Sequence, residues 1–223
     1  MIENRIVSAV KQDGDHRIDT SLRPRSLSEY VGQHSLKDNI NISIKAAQHR
    51  GEPLDHILFY GPPGLGKTTL ANIMATEMGV RIKATSGPAI ERAGDMVAIL
   101  TQLQKDEILF VDEVHRFNKA QQDAFLPHVE DGTIILIGAT TENPSFELNN
   151  ALLSRLRVYV LRPLDDEDLR LVFDRALADS KLAVGNETIC VEEQVRDLFV
   201  AAADGDARKI LNFLEVAVQL AAS

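Results

Sequence analysis

The apolar residues of this chain change their spacing about two thirds of the way along. Up to Leu161 they gather in five short strand candidates: Ile57 to Tyr60, Val80 to Ala84, Ile108 to Val111, Thr133 to Ala139 and Val158 to Leu161. Those that are continuously apolar, such as Ile57 to Tyr60 and Ile108 to Val111, predict buried strands. Between them the spacing turns helical: Leu70, Ile73, Met74 and Glu77 after the first run, Gly94 through Met96, Ile99 and Leu103 after the second, and Asn118 through Phe125 and Val129 after the third. Such alternation predicts an α/β fold with five strands in a mostly parallel sheet covered by helices on both sides. After Pro163 only helical spacing remains, over Asp166 to Asp179, Glu192 to Ala203 and Ala207 to Ala221. Leu169, Val172, Phe173 and Leu177, with Ile210, Phe213, Leu214 and Ala217, give these three helices one shared apolar side. The division expected is a polar, mobile segment over residues 1–20, an α/β domain over 21–162 and a small all-helical domain over 163–223.

The turn after the first strand carries the chemistry. Gly61-Pro62-Pro63-Gly64-Leu65-Gly66-Lys67-Thr68 fits G-x-x-x-x-G-K-[ST], the loop that cradles phosphates. A polyphosphate needs many backbone N–H donors at close range, and glycine lets the chain turn tightly enough to supply them. Lys67 is the expected counter-charge to the β- and γ-phosphates, and the Thr68 hydroxyl a ligand to Mg²⁺. The helix beginning there, with Thr69 in its first turn, directs its positive end at the anion. ATP and Mg²⁺ are therefore the expected ligands.

The third strand ends in Asp112-Glu113. At the carboxyl end of a strand in an open parallel sheet, two acids stand where ligands bind. Asp112 is expected to hold Mg²⁺ and Glu113 to orient the attacking water; alone, the pair is equally an ordinary solvated turn. No chemistry is assigned to the neighbouring His115.

Composition narrows the setting. A net charge of −9 argues against a broad surface that coats nucleic acid, so any DNA contact needs a local basic patch or one built by assembly. The single cysteine, Cys190, cannot form an internal disulfide. The opening MIENRIVSAV has charges within its apolar pattern, unlike a signal peptide, and no apolar run is long enough to span a membrane. A cytoplasmic enzyme is expected.

These motifs resemble the AAA+ ATPases, in the branch of clamp loaders and recombination motors. The stretches from MIENRIVSA through SLRPRSLSEYVGQ, AAQHRGEPLDHILFYGPPGLGKTTLANIMATEMGV and TSGPAIERAGDMVAIL are similar to RuvB, which drives branch migration of Holliday junctions. VDEVHRFNKAQQDAFLPHVEDGTIILIGATTENPSFELNNALLSRLRVY and GDARKILNFLE look instead like RarA, also called MgsA, a replication-fork maintenance ATPase. The resemblance implies an AAA+ P-loop core followed by a helical lid. It implies an adenine pocket lined by Tyr30 and Val31, with Ile18 and Leu22, and a sensor-1 residue, Thr140, that helps hold the attacking water. It further implies an arginine finger, Arg155, acting on a neighbouring subunit's nucleotide in a homo-oligomeric ring, and a sensor-2 arginine, Arg208. On the residues alone, Arg155 is equally a surface arginine near Arg157 and Arg162, and Arg208 a helix-start arginine paired with Asp204 or Asp206.

One departure from RuvB stands out. Glu130-Asp131-Gly132-Thr133 runs straight into IILIGATT, leaving no room for the β-hairpin through which RuvB docks on RuvA, so binding to RuvA is not expected. The chain also ends before the positions of RuvB's winged-helix domain or RarA's tetramerisation region, so an ATPase core is expected. The loop from Thr85 to Asp95 corresponds to the pore-facing region of AAA+ rings; Arg92, with Lys83, is a candidate basic collar for DNA, and Arg92 is also a candidate partner for Glu91 or Asp95. The leading expectation is a RuvB-like DNA motor. A RarA-like fork ATPase is the alternative, and a nucleotide-gated binding module with incidental turnover is a third.

Overall fold

The computed structural model describes residues 23–87, 98–178 and 191–221. Helix α1 (His34–Arg50) leads to β1 (Ile57–Tyr60), α2 (Lys67–Met78) and β2 (Ile82–Ser86). Next come β3 (Ile108–Asp112), a 3₁₀ turn (Val114–Arg116), α3 (Lys119–Asp123), α4 (Leu126–Glu130) and β4 (Ile135–Thr140). Then follow α5 (Pro144–Glu147), α6 (Asn150–Leu153), β5 (Arg157–Val160), α7 (Asp166–Ala178), α8 (Glu193–Ala203) and α9 (Ala207–Ala221).

The five strands form one sheet in the order β2-β3-β4-β1-β5, every neighbouring pair parallel. Successive residues of a strand point to opposite faces, and the cores follow that rule. Ile57, Phe59, Ile108, Phe110, Ile135 and Ile137 join α1 and α2 in one core. Leu58, Leu109, Val111 and Leu136 face the other side, where Phe117, Phe125, Val129, Leu148 and Leu152 cover them. Burial on both faces explains why the three inner strands, β1, β3 and β4, read as continuous apolar runs, whereas the edge strands β2 and β5 are only partly buried.

Helices α7, α8 and α9 enclose a separate core of Leu169, Phe173, Ala176, Val200, Ala203, Ile210 and Leu214. Phe199 bridges Phe173 and Phe213, with ring centroids 5.6 and 6.4 Å apart.

The structure adjusts several expected elements. Val80 lies in the turn that closes α2, not in a strand: Gly79 takes a left-handed conformation, and the Val80 N–H returns to the Ala75 carbonyl at 3.0 Å. The expected helix from Asn118 to Val129 is two short helices, the second with Pro127 in its first turn. Only the later part of the expected Gly94–Leu103 helix is described, and Ile99, Leu100 and Leu103 pack onto the sheet there. Residues 1–20, Ile18, Leu22, Arg92, Asp179 and Cys190 lie outside the described residues. Among those described, no helix is long and apolar enough to cross a membrane.

Candidate nucleotide site

Because all strands run the same way, the carboxyl ends of β1, β3 and β4 lie side by side at the centre of one sheet edge. Tyr60 of β1 stands beside Thr140 of β4, and Val111, just before Asp112, beside Gly138. The phosphate loop, the Asp112-Glu113 pair and Thr140 are thereby gathered along a single edge.

The loop is held in a shape that requires glycine at two of its positions. Gly64 and Gly66 have φ of 75° and 74°, a region that L side chains resist. Gly66 also passes beneath the Tyr30 ring, where a Cβ would come within 3.0 Å of the Tyr30 Cε2. The Tyr30 hydroxyl donates to the Leu65 carbonyl, and burial pushes its pKa far above the ordinary phenol range, so it stays a donor. Lys37 Nζ donates to the Tyr30 carbonyl at 2.8 Å. The same segment reaches the lid: the Gln33 side-chain amide exchanges hydrogen bonds with the Arg162 backbone, and Arg175 Nη1 donates to the Glu29 carbonyl at 2.5 Å. Val31 follows Tyr30 in this segment and is half-buried.

Lys67 opens α2 with only 8% of its surface exposed. Its ammonium donates to the Gly61 and Pro62 carbonyls at 2.8 and 2.7 Å. Burial lowers its pKa; the Asp112 carboxylate opposes that shift, Arg208 adds to it and Asp206 opposes it. Asp112 responds in the opposite sense: burial raises its pKa, while the Glu113 N–H, 3.0 Å from Oδ1, and the charges of Lys67 and Arg208 hold it down. Lys67, Asp112 and Arg208 are thus within electrostatic reach of one another, although Arg208 lies far along the chain. Thr68 and Thr69 occupy the first turn of α2, partly exposed, and Pro62 and Pro63 form the outer rim of the loop.

Glu113 has a left-handed backbone, φ 51°, which is uncommon for a residue with a side chain and persists only where the surroundings hold it. Here the Arg116 N–H donates to the Glu113 carbonyl at 2.9 Å, and Arg116 Nε pairs with Glu113 Oε2 at 3.0 Å. Thr140 is buried, its Oγ1 lying 2.9 Å from His115 Nδ1 and accepting from the Glu142 N–H at 3.1 Å. The sequence reading gave His115 no chemistry; the structure makes it the side-chain partner of Thr140.

Arg155 stands apart from this edge. It precedes β5, whose first residue, Arg157, lies beside Ile57 at the start of β1, so it sits at the amino ends of the strands. Its guanidinium pairs with Glu130 at 2.6 Å, donates to the Ala151 carbonyl at 2.6 Å and borders an open cleft of about 500 Å³ with Pro53 and His56. Lys83 is also engaged locally, donating from β2 to the Gln102 carbonyl at 2.7 Å.

The arrangement can hold a nucleoside polyphosphate. A glycine loop, a helix start and two cations converge on one edge, and the Thr68 hydroxyl and Asp112 carboxylate are hard oxygen donors of the kind Mg²⁺ takes. Among the described residues no cluster of three or more His, Cys, Asp or Glu could hold a metal by itself.

Comparison with known proteins adds the family. The Holliday junction DNA helicase RuvB P-loop domain matches residues 22–155. This chain belongs to that family. Replication-associated recombination protein A of Coxiella burnetii is 47% identical over 206 residues, covering 91% of this chain and 46% of that protein. The branch migration complex subunit RuvB of Clostridium kluyveri is 52% identical over 149 residues, covering 66% of this chain and 43% of that protein. The chain therefore spans about half the length of the curated relatives it matches. The solved Thermotoga maritima RuvB Holliday junction branch migration motor superposes with a TM-score of 0.78 at 36% identity, over 87% of this chain and 64% of that one.

Proposed function

We propose that this chain is an ATP-hydrolysing AAA+ module that acts, as a homo-oligomer in the cytoplasm, on DNA recombination or replication-fork intermediates. The observation that carries the reading is the convergence of Lys67, Asp112 and Arg208 on the phosphate-loop edge of the sheet. Residues 21–162 form the nucleotide-binding part and residues 163–223 the lid.

In this reading Gly61 to Thr69 hold the phosphates, Lys67 and Arg208 neutralise them, and Tyr30 and Val31 border the base. Thr68 and Asp112 would hold Mg²⁺, which draws charge from the phosphate oxygens. Glu113 orients a water for attack on the γ-phosphorus. As the new phosphorus–oxygen bond forms and the bond to ADP breaks, Glu113 accepts the water proton. Thr140, hydrogen-bonded to His115, helps hold the attacking water. Arg155, at the opposite end of the sheet, serves the nucleotide of an adjacent subunit, because phosphoryl transfer responds to positive charge placed where negative charge develops.

Two members of the family offer different tasks. A RuvB-like motor is supported by the RuvB match over residues 22–155. A RarA-like fork ATPase is supported by a match over 91% of this chain, which reaches into the lid, and by the direct turn, residues 131–134, from α4 into β4. That turn also speaks against docking on RuvA. ATP turnover measured with single strands, forks and four-way junctions tests the proposal. Stimulation by junctions favours the motor, stimulation by fork or single-strand ends favours the fork ATPase, and ATP binding with turnover indifferent to DNA leaves a nucleotide-gated binding module.

A further inference from the structure

Asp206 joins the lid to the phosphate loop in a way that the nucleotide reading leaves unexplained. Its Oδ1 accepts from the Arg208 and Lys209 N–H groups at 2.8 and 3.1 Å, capping the start of α9. The same carboxylate presses on the loop: a Cβ at Gly64 would lie 1.7 Å from Oδ1 and 2.2 Å from Cγ. It is close enough to Lys67 to act on that ammonium electrostatically, alongside Arg208. An anion belonging to the lid therefore stands where two helix starts and two cations meet, the surroundings that favour a phosphate group.

We infer that Asp206 is an affinity-setting residue of the nucleotide site, a lid carboxylate that opposes the incoming polyphosphate and must shift from Gly64 as the phosphates settle. The inference rests on the nucleotide-binding function proposed above. Like charges sharing one site repel, and the repulsion grows with the charge brought in. Arg208, two residues away, is drawn toward the same phosphates that Asp206 opposes. The lid thus carries an attractive and a repulsive group side by side, and its seating on the loop follows the charge of the bound nucleotide. Contact with Asp206, added to the positive φ, gives position 64 a second reason to be glycine.

The test is calorimetric binding of AMP, ADP and ATP to the full chain carrying Asp206→Asn or Asp206→Ser. Both replacements keep an N-cap acceptor, so α9 stays capped while the charge is removed. Both variants are expected to bind ATP about three- to tenfold more tightly than wild type, with a smaller gain for ADP and little for AMP, because the relieved repulsion scales with phosphate charge. Unchanged or weaker ATP binding, or an equal gain for all three nucleotides, overturns the role of Asp206 while leaving nucleotide binding intact. Failure of the wild-type chain to bind any of the three overturns the nucleotide-site reading itself.

Discussion

The two ends of the sheet hold their cations in different ways. At the carboxyl ends Lys67 is buried, its charge set against Asp112 and its hydrogen bonds spent on the loop's own carbonyls. At the amino ends the Arg155 side chain is 38% exposed, and its partner, Glu130, is 51% exposed. A buried charge loses its solvent, so removing it disturbs everything set against it; an exposed pair is worth about 0–1 kcal/mol. The first end is organised to bind within the chain. The second is organised loosely enough for Arg155 to exchange its partner, which the role proposed for it at an adjacent subunit requires.

That contrast predicts separable defects. The largest effects fall on turnover: Glu113→Gln and Arg155→Ala should each slow ATP hydrolysis about a hundredfold or more, the scale of losing one catalytic base or one stabilising arginine. Both should keep ATP affinity, which equilibrium titration checks. Lys67→Ala should instead lose affinity tenfold or more, since a charge-assisted phosphate contact is worth about 1.5–3 kcal/mol. Equal ATP binding by wild type and Lys67→Ala would erase the distinction between the two ends.

A pH dependence sharpens the structural side. His56, beside the Arg155 cleft, accepts the Leu136 N–H at Nδ1 (3.1 Å) and faces the Val129 carbonyl with Nε2 (3.0 Å), so the neutral ring ties β4 to α4. Burial is the first cause lowering its pKa below the ordinary 6.5; the Val129 bond and Asp55 oppose it. The unfolded chain therefore takes up the proton at a higher pH than the folded chain. Stability from this group is present above pH 6.5 and falls as the pH drops from there towards the folded value. Urea unfolding between pH 8 and 5 should show that decline, and His56→Gln should flatten it, lowering stability at neutral pH by about 1–3 kcal/mol through the backbone bonds disturbed. The smallest effect belongs to Tyr30→Phe, which removes one hydrogen bond to the loop and should cost about 1 kcal/mol in thermal unfolding.

The contrast also explains what could be read in advance. The inner strands β1, β3 and β4 were legible because two-sided burial writes each as an apolar run, and the phosphate loop and Asp112-Glu113 because each is contiguous in sequence. Edges were less legible: β2 is an edge strand with no fully buried residue, so Val80, an apolar residue in the turn closing α2, was drawn into it. Helix α1 carried a usable signal in Leu36, Ile40, Ile44 and Ala47, which recur along one face and are buried there. The contacts that shape the site pair residues remote in the chain, Tyr30 with Leu65, His115 with Thr140 and Gly64 with Asp206. No local spacing encodes those pairs. Gln122 shows the same limit: it is a buried polar residue whose amide donates to the Phe117 and Glu147 carbonyls and accepts the Asn149 N–H, fixing the approach to α6 and Arg155.

In the proposed function Arg155 completes a neighbour's site while Glu113 works in its own. ATP turnover of Arg155→Ala mixed with Glu113→Gln, across a range of ratios and total concentrations, tests that division of roles. An interface pairing the intact Arg155 of one variant with the intact Glu113 of the other is whole, so the mixture should recover activity that neither variant has alone, peaking near equal proportions and rising with concentration. Turnover in every mixture equal to the weighted sum of the two separate variants would contradict the claim.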